Sequence, residues 1–356
     1  MEETMMTYIN QEHETNGYVL IERKNNLRNF INFSKGKRYR RIVVLSTGSS
    51  ANAVYCAKYY LQDILKINVE IKMPSEFLIY ENNIEKDVLY LAVTQGGRSY
   101  STIEALKKAK RYELDVVTLT SDLNSPVCMF NDVVVDIGCG IEKVGYVTKG
   151  FSATVLTLML MGLEFAFENK LIGESEYESR IFEIENCLNK ISETIDKSLK
   201  WYQINKEEFM KSKKFVAIGH GPVYGVVKEC ETKFTETIRL PMNGHELEEY
   251  MHGPYLSLTK NDTIIFLEGN SKLQERQELL KNYIMPYAGN VFNISYKSNA
   301  VHSRDLYLNI ECNEFLIPIL LIIPIQIISY CLAEDLGNNL NKKIFEDFDE
   351  KLKSKL

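Results

Sequence analysis

The sequence predicts an α/β protein with two parallel sheets, each flanked by helices. Two observations carry this. Short apolar, β-branched runs alternate with helical segments, and the turns between them are rich in glycine and hydroxyl residues. The pattern then restarts. Gly48 and Gly219 follow equivalent apolar runs 171 residues apart, which reads as two copies of one unit sharing little literal sequence. A chain of 356 residues also exceeds what one core ordinarily supports.

Residues 1–40 read as polar and helical, ending in the basic run KGKRYRR. Residues 41–45 (RIVVL) form a buried parallel strand; STGSS follows, and a helix continues over 51–65. Strands are expected at 68–71, 87–93, 115–119 and 133–137, with a helix over 101–110. The segment 138–150 is a loop leading into an apolar helix over 151–167. Ile181, Ile184, Leu188, Ile191 and Ile195 keep helical spacing, so one long connecting helix is expected across 171–210. The second unit begins with a strand at 214–218, a turn at 219–221 and a helix over 226–237. Strands follow at 262–267, 291–294 and 306–310, with a helix after Ser271. The expected division is a helical segment 1–34, a first domain 35–170, a connecting helix 171–205, a second domain 206–336 and a tail 337–356.

Composition excludes several classes. A net charge of -6 argues against a nucleic-acid footprint. Seven scattered cysteines without a Cys-x-x-Cys pair read as reduced thiols of a cytoplasmic protein. The acidic start MEETMMTYINQEHET is no signal peptide. The apolar segment 315–333 carries Pro318, Pro324 and Gln326, and is expected to be a buried helix rather than a membrane span, so no membrane partner is expected. His13, His220, His245 and His302 lack metal-ligand spacing, and no metal is expected.

Two loops emerge where open parallel sheets bind ligands, at the carboxyl ends of strands. Ser49, Ser50, Thr94, Gln95, Ser99 and Ser101 can surround a phosphate, aided by the free N–H groups of the helices that follow. No Gly-Lys-Ser/Thr P-loop is present, and STGSSA lacks dinucleotide spacing. Glycine and serine can equally close tight turns, and the residues alone leave both readings open. In the stretch 219–254, Glu229 and Glu236 share a helix face, and Glu229 with Lys233 makes an i,i+4 pair of the kind that ordinarily supports a surface helix. A desolvated Glu236 could take a carbon-bound proton. His252, held in a His-Gly-Pro turn, either opens a sugar ring or caps a helix.

These residues resemble the sugar isomerase (SIS) domain family, in two tandem copies across nearly the whole chain. They are similar to the isomerase half of glucosamine-6-phosphate synthase and to the fructosamine-6-phosphate deglycases. STGSS and TQGGRS resemble the family's two phosphate loops, and 142–149 resembles its E-x-G-x-A-S-T-K stretch. Most specific is Lys233-x-x-Glu236 followed, after fifteen intervening residues, by His252-Gly-Pro. The resemblance implies flavodoxin-like parallel sheets. It makes Ser50, Thr94, Gln95 and Ser99 phosphate ligands, with Ser49 and Gly97 in the same substrate-binding set. Val147 and Thr148 would lie along the sugar, and Glu229 and Lys233 would orient the open chain. Glu236 would be the base, and His252 would assist ring opening from the neighbouring subunit of an obligate homodimer. No cofactor is implied.

Two departures direct the expectation within the family. The first cysteine, Cys56, lies inside the first α/β unit, so the synthase's amino-terminal glutaminase domain is not expected; the tail KKIFEDFDEKLKSKL does not match the synthase tail. Both favour a deglycase cleaving a 6-phosphorylated Amadori compound, such as fructoselysine 6-phosphate, to glucose 6-phosphate and an amine. An aminosugar-phosphate isomerase or deaminase and a non-catalytic sugar-phosphate sensor are the alternatives. Gly96 stands where the family has a second loop serine, and Arg98 where the synthase has glutamate.

Overall fold

The computed structural model describes residues 3–297 and 302–356. Helices α1 (Met5–Asn10), α2 (Glu12–Asn26) and α3 (Arg28–Ser34) come first. Then follow β1 (Arg41–Leu45), α4 (Gly48–Leu65), β2 (Asn68–Lys72), α5 (Pro74–Tyr80), β3 (Val88–Val93), α6 (Tyr100–Arg111), β4 (Asp115–Thr120) and β5 (Val133–Asp136). Helices α7 (Lys149–Glu168), α8 (Glu174–Leu188) and α9 (Ile191–Lys211) lead to β6 (Lys214–Gly219) and α10 (Tyr224–Thr237). The rest is β7 (Met242–Glu246), α11 (Leu247–Met251), β8 (Asp262–Glu268), α12 (Gln274–Ile284), β9 (Asn290–Ser295), β10 (Asp305–Tyr307), α13 (Ile317–Asp335) and α14 (Phe348–Leu352).

Two compact units result. The first-sheet unit holds residues 14–143, 149–181 and 342–356; the second-sheet unit holds 1–13, 144–148 and 182–341. Both sheets are wholly parallel, and they share one topology: β2-β1-β3-β4-β5 in the first and β7-β6-β8-β9-β10 in the second. This is the flavodoxin-like order, with the connection reversing direction at the first strand of each set. The expected repeat is therefore present, with a shifted register. Gly48 and Gly221 each stand seven residues past the start of their strand, and carry φ of 56° and 58°. Gly221, not Gly219, is the counterpart of Gly48.

Central strands are apolar because helices cover both faces: every residue of β3 and of β8 is buried. The edge strand β7, sequence MNGHE, is half-exposed and has no apolar run, yet it pairs along its length with β6. Sequence reading assigns no strand to this stretch. Helices α7 and α13 are long and apolar enough to cross a membrane, but 94% and 83% of their most apolar windows are buried. The expected burial of the 315–333 segment holds. α7 packs on α4, and α13 on α9 and α10. Pro318 sits in the first turn of α13, where its missing N–H costs nothing, and Pro324 lies inside the helix. The single helix expected over 171–210 is two helices, α8 and α9, broken at Asn189–Lys190.

Candidate functional site

In the first-sheet unit, the loops after β1 and β3 emerge side by side, because those strands are paired neighbours. α4 begins three residues earlier than expected, so Ser49 and Ser50 lie in its first turn, half-buried. Its N-cap, Thr47, makes no side-chain capping bond, which leaves first-turn N–H groups uncapped. α6, whose N-cap is Ser99, likewise has no side-chain capping bond, although its first N–H, of Tyr100, is taken by a backbone carbonyl. Ser99 Oγ accepts from Thr102 Oγ1 at 3.1 Å and lies 3.4 Å from Ser101 Oγ, a cluster of three hydroxyls. Thr94 is buried at the end of β3. The loops and helix ends together form a neutral, donor-rich cradle suited to an anion.

Gln95 is held from two sides. Its Nε2 donates to Glu142 Oε2 at 2.6 Å, and its carbonyl accepts from Thr120 Oγ1 at 3.0 Å and Ser121 N at 2.9 Å. A Cβ at position 150 would stand 1.9 Å from Gln95 Nε2, so only glycine at the start of α7 admits this arrangement. Gly97 adopts φ 63°, and a Cβ there would come 1.9 Å from Ser125 Oγ. Glu142 and Gly150 are positioning residues whose role the sequence alone did not assign. Gly96 is exposed, without positive φ, and faces open space. Arg98 is ion-paired to Asp122 at 3.4 Å.

Residues 354–356 also join this loop. Leu356 N donates to Arg98 O at 2.9 Å, Tyr100 N donates to Ser354 O at 3.1 Å, and Ser99 forms an antiparallel bridge with Lys355. The Lys355 ammonium bonds Asp349 at 2.9 Å. No sequence signal marked this pairing, because it uses backbone groups.

In the second-sheet unit, Glu229, Lys233 and Glu236 line one face of α10. Lys233 Nζ lies 2.6 Å from Glu236 Oε2 and 3.6 Å from Glu229 Oε1. Lys233 and Glu229 are each 1% exposed, whereas the Glu236 side chain is 41% exposed. The 229–233 pair is thus a buried ion pair, not the surface support that i,i+4 spacing suggests. Its burial follows from Val226, Cys230 and Phe234 on α10, which pack into the same unit with no exposure. Lys233 Nζ, buried between two carboxylates, fixes one oxygen of Glu236 and leaves the rest of that group open to solvent.

His252 occupies the C-cap position of α11, where its N–H donates to Glu249 O at 3.1 Å. The imidazole is exposed, makes no hydrogen bond among the described residues, and lies within electrostatic reach of Glu248. It therefore does not cap the helix with its ring. Thr148, in the second-sheet unit with Val147, is fully buried; its hydroxyl donates to Tyr146 O at 2.9 Å, and its carbonyl accepts from Gln326 Nε2 at 3.0 Å. Val147 is half-buried and the more accessible of the two.

The strand ends that correspond to the cradle differ in the second sheet. Buried His220, after β6, is hydrogen-bonded through Nε2 to Ser271 Oγ, and burial pushes its imidazole below the usual histidine range. Glu268 ends β8. Burial raises its carboxyl, but Lys297 at 2.7 Å, with Ser295 and Asn293, outweighs this and holds it below the ordinary carboxylate range.

Residues 37–165, which contain all of the first sheet, match the family described as the SIS domain. The second sheet repeats that topology, so the chain carries two flavodoxin-like parallel sheets. The chain is similar to glutamine–fructose-6-phosphate aminotransferase (isomerizing) of Caldanaerobacter subterraneus subsp. tengcongensis. The identity is 24% over 310 residues, covering 86% of this chain and 51% of that protein. It thus spans about half the length of the curated relatives it matches. Among solved structures it is similar to a candidate phosphosugar isomerase of Clostridium difficile 630, with 27% identity and a TM-score of 0.91, over 100% of this chain and 99% of that one. Glucosamine-6-phosphate deaminase of Thermotoga maritima shares the fold at 19% identity and a TM-score of 0.74, over 96% of this chain and 97% of that one.

Proposed function

We propose that this chain is a sugar-phosphate isomerase-type enzyme, acting without a cofactor on a hexose 6-phosphate that bears an amino group. One observation carries the reading. Of three charged groups on one face of α10, only Glu236 is open to solvent, and a buried ammonium holds it. That suits a carboxylate that must stay ionised, oriented and accessible to a carbon acid. The cradle of Ser49, Ser50, Thr94, Gln95, Gly97 and Ser99 supports a dianionic phosphate as the anchoring group. The relatives' names support amino-sugar phosphates as the substrate class.

On a ring-opened 2-amino aldose phosphate, Glu236 takes the C2 proton while the C1 carbonyl accepts the electron pair, giving an enolamine. Returning the proton to C1 gives a ketose 2-imine. Water hydrolyses the imine to ketose phosphate and ammonia. His252 is the ring-opening acid, supplied by the partner in a cytoplasmic homodimer. Seven free cysteines support the reducing compartment.

A second reading, the deglycase, runs the same proton shift in the opposite sense on a 1-amino ketose, releasing aldose phosphate and an amine. It is favoured by the tail's mismatch with the synthase tail, where Lys355 engages Asp349 and Lys351 engages Asp347 at 2.5 Å, while Lys353 makes no ion pair among the described residues. The deciding assay follows hexose phosphate release from glucosamine 6-phosphate, galactosamine 6-phosphate and 6-phosphofructosyl-lysine. Turnover of a 2-amino aldose supports the first reading, and turnover of the lysine adduct alone transfers support to the second. Glu236→Gln should lower kcat by about a hundredfold or more while hexose 6-phosphate still binds. An undiminished kcat would remove Glu236 as the base.

A further inference from the structure

Where α13 ends, the chain turns back through residues 336–341 and, with Thr4 and Met5, encloses a pocket of about 350 Å³. All of its walls belong to the second-sheet unit. The size fits a small metabolite. Met5 and Leu340 supply a buried apolar floor, and the remaining walls are polar.

Of the polar groups, Glu334 is the one that carries a charge. Glu334 makes no ion pair among the described residues, and it stands in the last turn of a helix whose carboxyl end carries partial negative charge. No lysine, arginine or histidine lines the pocket. Asn338 uses its amide N–H groups elsewhere: Nδ2 donates to Thr237 O at 2.9 Å and to Ile238 O at 3.0 Å. What Asn338 retains for a ligand is its carboxamide oxygen. The Glu334 carboxylate, the Asn338 carboxamide oxygen and a helix carboxyl end, with no cation in the lining, favour a positively charged donor.

We propose that this pocket binds a small molecule carrying a primary ammonium group, held by Glu334 and Asn338. The site is separate from the catalytic assignment and does not depend on it. It nevertheless reports to α10, because Asn338 grips the carbonyl that directly follows Glu236 and the next one. Occupancy tightens that last helical turn.

Isothermal titration of the whole chain with glucosamine, with lysine and with N-acetylglucosamine tests the ligand class, since the last is glucosamine with its ammonium converted to a neutral amide. Glucosamine and lysine should bind and N-acetylglucosamine should not. Glu334→Gln should weaken binding about tenfold or more, because a charge-assisted bond is lost, with the melting temperature unchanged at this exposed position. Glu236→Gln should bind as wild type does. Hydrogen exchange at 237–239 should slow when glucosamine is present and stay unchanged in Glu334→Gln. Equal binding of N-acetylglucosamine, full binding by Glu334→Gln, or absence of binding by both amines would overturn the site. Loss of binding in Glu236→Gln would reassign the ligand to the catalytic residues. Unaltered exchange at 237–239 would overturn the link to α10.

Discussion

Replacing Lys233 by methionine would strand Glu229, a carboxylate with 1% exposure, without the ammonium 3.6 Å away. Removing one partner of a buried ion pair typically costs about 3 kcal/mol, so Lys233→Met should lower the urea midpoint well beyond an ordinary surface change. A midpoint equal to wild type would mean that the pair contributes no net stability. At the cradle, the absence of a side chain at Gly96 is the feature to test. Its backbone is ordinary and a Cβ would meet open space, so a serine fits without strain. Gly96→Ser should therefore tighten hexose 6-phosphate binding several-fold, by about one charge-assisted hydrogen bond; weaker binding would argue that the phosphate does not lie against this loop. Residue identities announced both places, through Lys-x-x-Glu and TQGGRS. Burial could not be read, because i,i+4 spacing is the same on a buried helix as on an exposed one.

Among the elements, the pairing of 354–356 with 98–100 is a backbone contact that a single substitution can break. Leu356→Pro deletes the N–H that donates to Arg98 O. The expected outcome is a raised dissociation constant for hexose 6-phosphate with kcat nearly unchanged, measured by titration and steady-state kinetics. A fall in kcat at constant KM would point to a chemical role instead. Most elements could be read from the sequence because their apolar runs are buried on both faces, as in β3 and β8. β7 could not, because an edge strand needs only one covered face and MNGHE has no apolar run. The break between α8 and α9 was hidden for the opposite reason. The apolar stripe from Ile181 to Ile195 continues through it in phase, so periodicity reports one helix where the backbone makes two.

In the whole molecule, two sheets of one topology carry different chemistry at their strand ends. The first offers neutral hydroxyls, and the second a neutral imidazole and a paired carboxylate. This difference should appear in pH dependence. Burial lowers the folded pKa of both His220 and His245. Unfolding returns them to about 6.5, so the unfolded chain binds more protons in the window below that pH. Their contribution to stability is present above about pH 6.5 and is lost as pH falls through and below it. The urea midpoint should fall between about pH 7.5 and about pH 5.5, and fall less in His220→Asn. A midpoint that rose on acidification would contradict the burial of these rings. The pairing of 354–356 with the phosphate loop also bears on synthesis. A ribosome makes β1, β3 and every hydroxyl of the cradle early, then both sheets in full, before it reaches the strand that lies along Arg98 and Tyr100. A nascent chain thus carries these hydroxyls while the backbone of 98–100 stays unpaired until translation has passed the second sheet.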